Sequence, residues 1–168
     1  MRAAGVLVAV ALALAMQTTL DRIVVGGTAA VDLVLVAVVY IALTMGPVTG
    51  MLAGSVAGLL QDALLSGVIG VGGLAKTVVG FLAGAIGQQF IVTAAVPRLV
   101  MFVAATAVHA LCFMGLYQLL GARTFASPLA AVVTQSLGNA VVGMVAFSAI
   151  EGLPGVLERR RATRRPRL

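Results

Sequence analysis

The chain has 168 residues and a mass of 16.9 kDa, the size of a single domain. Hydrophobic residues make up 61% and charged residues 10%, against roughly 45–50% and 25% in soluble domains. That excludes a water-facing surface and intrinsic disorder, and a single cysteine, Cys112, excludes a disulfide scaffold. The remaining class is a polytopic membrane protein. The net charge of +6 and pI near 11.1 then speak for nucleic acid only if the charges sit where nucleic acid can reach them.

Uncharged runs cover residues 3–20, 33–61, 77–97, 99–122 and 124–150. A helical crossing of a bilayer takes about 20 apolar residues. The run 33–61 is broken at Met45-Gly46-Pro47, where proline disfavours helix in the residue before it. It therefore reads as two spans on a tight turn, the first borrowing residues 29–31 across Asp32. The predicted fold class is all-α, with six transmembrane helices over about 3–20, 29–45, 48–65, 74–92, 98–120 and 128–150. They form one membrane domain, residues 1–157, followed by an Arg-rich tail, 158–168. Continuous apolar runs without alternation argue against a β-barrel. Arg2, the apolar stretch and Ala11-Leu12-Ala13 or Ala13-Leu14-Ala15 resemble a cleavable signal peptide. The length of the stretch and the five spans after it favour retention.

Six helices put both termini on one side. That side carries Arg2, Arg98, Arg159, Arg160, Arg161, Arg164, Arg165 and Arg167; the other carries Arg22, Lys76 and Arg123. The positive-inside rule places the first set in the cytoplasm. The charge is thus an orientation label, and the tail is a contact for anionic lipid headgroups; nucleic acid is not an expected partner.

Along the third helix Gly46, Gly50, Gly54 and Gly58 recur every four residues, continued by Asp62 and Ser66. The fourth helix answers with Gly80, Gly84 and Gly87. Small residues at this spacing let helix backbones approach closely in lipid, so the expected use is packing of a helical hairpin, with a dimer seam as the alternative. Asp62 and Lys76 flank the connecting loop, which includes Gly67, and are placed to meet across the hairpin. An ionisable group in a membrane span is a functional candidate by default, against the plainer reading of a structural ion pair.

The stretch Gly70-Val71-Gly72-Gly73-Leu74-Ala75-Lys76-Thr77 approaches a phosphate-binding loop but has Ala75 at the second required glycine and no preceding strand. His109 and Cys112 share a face of the fifth helix without further ligands for a metal, so His109 is expected to be an interhelical hydrogen-bond partner. Gln135 and Asn139, with Thr134, Ser136 and Ser148, are expected to hold helices together or to line a small polar cavity. Nothing resembles a nucleophile with its base or a pair of catalytic carboxylates, and no cofactor is implied. Ala9/Ala13 and Ala11/Ala15 mark a close-packing face on the first helix.

Gly46-Pro47, Gly50, Gly54, Gly58-Leu59-Leu60-Gln61-Asp62-Ala63-Leu64-Leu65-Ser66-Gly67, Gly70 and Lys76-Thr77-Val78-Val79-Gly80-Phe81-Leu82-Ala83-Gly84 together resemble the rod shape-determining protein MreD family. The motif stretch covers about 40 residues, and elsewhere the match is one of hydropathy. The resemblance implies a non-enzymatic subunit of the bacterial elongation machinery, required for rod shape and lateral peptidoglycan synthesis. Its implied partner is MreC and, through it, MreB, RodA and a class B penicillin-binding transpeptidase. It also implies a bundle similar to the substrate-binding subunits of energy-coupling-factor transporters. Gln88-Gln89 and a lone Arg98 depart from the more basic loop of many members. A vitamin-transporter substrate subunit is the alternative, but it needs convergent aromatic and polar groups, and along the sequence these lie dispersed.

Overall fold

The computed structural model describes residues 2–20, 24–25, 28–65, 67–90, 94–122, 125 and 127–163, and only the backbone at 2, 3, 20, 24, 25, 28 and 151–163. The chain runs α1 (Arg2–Leu20), β1 (Val24–Val25), β2 (Thr28–Ala29), α2 (Leu33–Met45), α3 (Pro47–Leu64), α4 (Val71–Gln89), α5 (Ala95–Leu119) and α6 (Pro128–Thr163). The all-α class holds. The two short strands pair antiparallel, Val24 with Ala29 and Val25 with Thr28, and merely fold the α1–α2 connection back on itself.

Among the described residues three helices are long and apolar enough to cross a bilayer: Val71–Gln89, Ala95–Leu119 and Pro128–Ile150. Ala4–Thr19 and Leu33–Met45 are shorter apolar helices. The second helix departs from expectation at its start, beginning at Leu33 rather than at 29. Asp32 is its N-cap: the backbone there is extended, and the carboxylate accepts a hydrogen bond from Leu35 N at 2.9 Å. A capping carboxylate ends the helix on its N-terminal side, so residues 29–31 cannot be its first turn. At 1.5 Å per residue, α2's 13 residues make about 20 Å, some 10 Å less than a hydrocarbon core.

The break after α2 lies where the sequence puts it. Gly46 takes φ +92°, a left-handed value that glycine adopts freely, and Pro47 opens α3 at its first helical position. At the far end α6 continues as helix to Thr163, so the start of the tail extends the last helix instead of leaving it at 150.

α2 is the centre of the bundle and packs on each of the other five helices. One side of it, Val34, Val38 and Ile41, meets Val10, Ala13 and Leu14 of α1 and Ala53 and Ala57 of α3. The opposite side, Leu35, Val36, Val39 and Ala42, meets Val79 and Ala83 of α4, Met101, Phe102 and Ala105 of α5, and Ala140 and Phe147 of α6. A helix buried on both sides must be apolar all round, and α2 is. The periphery is apolar too: Leu129, Val133, Leu137, Val141 and Val145 form an exposed ridge at four-residue steps on α6.

Candidate functional site

The α3–α4 hairpin is built on its glycines. A Cβ on Gly50 would stand 2.5 Å from the Gly80 carbonyl oxygen and one on Gly84 2.5 Å from Pro47 Cα. One on Gly58 would lie 2.6 Å from Gly73 Cα. On Gly54 and Gly80 it would overlap the backbone carbonyls of Lys76 and Gly50. Each contact is between the two helices of one chain, so the stripe serves the hairpin, as expected, and these faces are not free for a dimer seam. In lipid the gain comes from close van der Waals contact and not from expelled water.

Asp62 closes this stripe, and its partner is not Lys76. Its Oδ2 accepts from the backbone N–H groups of Gly70 at 2.9 Å, Gly72 at 3.0 Å and Gly73 at 3.2 Å. The first N–H groups of a helix have no intrahelical acceptor and carry the positive end of its dipole, so a carboxylate there is held by charge and by geometry. Gly72 is small because Asp62 Oδ1 occupies the space its side chain would fill. Gly67 turns back to donate to the Asp62 carbonyl at 3.0 Å, and Tyr117 Oη accepts from Val68 N at 2.9 Å, fastening the loop to α5. Ser66 lies outside the described residues. Asp62→Ala should cost about 2–3 kcal/mol, since three N–H groups lose a charged acceptor. Thermal unfolding of the purified protein in detergent measures it, and Asp62→Asn should fall between.

Lys76 instead reaches Asp32. Its Nζ lies 2.7 Å from Asp32 Oδ2, with both side chains buried, and 3.3 Å from His109 Nε2. The ion pair draws in side chains from α1, α5 and α6. Asp32 N donates to Asn139 Oδ1 at 2.8 Å, and Asn139 Nδ2 donates to Thr106 Oγ1 at 3.1 Å. Gln17 brackets the same segment, donating to the Val31 carbonyl at 3.1 Å and accepting from Leu33 N at 2.7 Å. Gln135 donates to the Ala29 carbonyl at 2.9 Å. Residues 29–32 are non-helical backbone inside the bundle. Side chains of α1 and α6 supply the partners a helix would have provided internally, which buried backbone polar groups need. His109 and Asn139 are therefore interhelical hydrogen-bond partners, as expected. The polar residues that look dispersed along the sequence converge in space.

The cluster sits at the end of the bundle that carries the α1–α2, α3–α4 and α5–α6 connections. An aromatic row continues it: His109 stacks on Phe113 with centroids 5.6 Å apart, and Phe113 meets Tyr117 at 4.7 Å. At the opposite end Arg98 is buried, its guanidinium 4.4 Å above the Phe147 ring, a cation–π contact. Between α4 and α5 lies a crevice of about 70 Å³ lined by Val79, Ala83, Met101 and Ala105 among others, all apolar and unsuited to a polar ligand. Among the described residues no three His, Cys, Asp or Glu side chains gather as a metal site. On α1, Ala13 packs inward while Ala11 and Ala15 face outward.

Sequence reasoning missed Asp32 and Gln17. Asp32 stands directly before the run Leu33-Val34-Leu35-Val36, the position of a helix-capping aspartate, and that signal was available. Gln17 gave none.

An exterior of exposed Leu, Val, Ile and Met, over an interior whose few charges and amides are paired with one another, is that of a helical membrane protein. Within that class the chain belongs to the MreD family: the family model of the rod shape-determining protein MreD matches residues 2–153. No curated protein and no solved structure matches the chain.

Proposed function

We propose that the chain is a non-enzymatic scaffold subunit of the bacterial elongation complex in the cytoplasmic membrane. There it supports rod shape and lateral peptidoglycan synthesis by associating with MreC, and indirectly with MreB, RodA and a class B penicillin-binding transpeptidase. The family match over residues 2–153 carries this reading. In support, the cluster's buried polar groups are spent largely on one another, leaving the outer faces as the means of action. The chain crosses the membrane six times with both termini in the cytoplasm, in line with its Lys and Arg distribution. In that topology residues 29–32 complete the crossing that α2 is too short to make alone, and the bundle is similar to the substrate-binding subunits of energy-coupling-factor transporters. The outward pair Ala11/Ala15 is the face offered to MreC, and the Arg-rich tail lies against anionic headgroups.

Depletion in a rod-shaped bacterium should round the cells and abolish wall incorporation along the cylinder, and a photo-crosslinker at Ala11 or Ala15 should capture MreC. Cells that remain rods with normal lateral growth would overturn the proposal. The gathered polar cluster favours one other reading, a vitamin-binding transporter subunit. Tight binding of a vitamin by the purified protein would select it.

A further inference from the structure

Lys76 and His109 belong to packed helices, whereas the Asp32 carboxylate paired with Lys76 arrives on an extended strip. Lys76 is fixed by the glycine hairpin, its own carbonyl lying where a Gly54 side chain would be, and His109 is fixed by its stack on Phe113. Asp32 is delivered by residues 29–32, which α1 and α6 hold through the side chains of Gln17, Gln135 and Asn139. Receptor and ligand are thus separate pieces of the fold.

Beside the ammonium, the His109 ring has hydrogen-bonding capacity that no described residue uses. A lysine ammonium only donates, so His109 Nε2 is the acceptor of their contact and the ring proton sits on Nδ1. That Nδ1 is buried and has no partner among the described residues. A buried donor without an acceptor marks a place where an oxygen-bearing group is energetically welcome.

We propose that Lys76, held beside His109, forms a carboxylate-binding site whose resident ligand is the chain's own Asp32, and that this site takes a small monocarboxylate from solution once the Asp32 side chain is gone. Asp32 and an incoming carboxylate exclude one another, so the intact chain should not respond to the same solute.

The test is chemical rescue. Asp32→Gly empties the space, and glycine is tolerated at a helix N-cap. Sodium formate titrated into the full-length variant in detergent, against sodium chloride at equal ionic strength, should raise its thermal midpoint saturably. The expected rise is roughly 3–5 °C at ten times the apparent Kd. The unsubstituted chain and Asp32→Gly/Lys76→Met should show no such rise. A response no larger than that to chloride, or an equal response in the double variant, would overturn the proposal. If Asp32→Gly does not survive extraction, the same contrast is read as folded yield on cell-free synthesis into nanodiscs with formate or with chloride. Equal yields would then count against it.

Discussion

Lys76→Met alone should cost the fold about 3–5 kcal/mol, because it leaves the Asp32 carboxylate buried without its cation. Asp32→Asn alone should cost somewhat less: asparagine still caps α2, but the ammonium is stranded. The double variant Asp32→Asn/Lys76→Met should recover most of the loss, since a buried neutral pair carries no unpaired charge. Equilibrium unfolding in detergent supplies the three free energies of the cycle. A double variant as unstable as the summed singles would show that the pair does not act as a unit. Asp62→Asn combined with Lys76→Met should be additive, because Asp62 contacts backbone N–H groups at the start of α4 and not the ammonium.

The second large effect belongs to Gly54. A methyl group there meets the Lys76 carbonyl, which is backbone and cannot rotate aside. The two helices must separate along the whole hairpin. Gly54→Ala should therefore lie at or beyond the upper end of the 1–3 kcal/mol typical of overpacking, roughly 3 kcal/mol, and Gly54→Leu should give no folded protein. Gly5 and Gly115 supply the contrast, since a Cβ on either meets nothing within 4 Å. Their alanine variants should be neutral or gain up to about 1 kcal/mol from helix propensity. Thermal midpoints of the variants decide it. Equal losses at Gly54 and Gly115 would mean that the glycines do not act through close packing.

What was legible in the sequence follows from how each feature is caused. The glycine stripe was readable because close helix contact in lipid leaves few residue types at positions 50, 54, 58, 80 and 84. The break at Gly46-Pro47 was readable because proline's ring and glycine's freedom act within a few bonds. The partner of Lys76 was not. Nearness along the chain favoured Asp62, but the unsatisfied N–H groups at the start of α4 lie closer still and hold that carboxylate. Asp32, 44 positions before Lys76, becomes its neighbour only once α2 is seated among the other helices. The shortness of α2 was hidden for the same reason: residues 29–31 are apolar enough to look like helix, and only distant side chains make an extended path tolerable there.

Those distant side chains also set an order of events in synthesis. The Asp32 N–H and the Ala29 carbonyl find their partners in Asn139 and Gln135, 107 and 106 residues further along. A ribosome adding about 5–20 residues per second reaches them on the order of 5–20 s after making the segment they serve. During that interval the strip 29–32 lacks these two partners, and a chain stopped after α5 would never gain them.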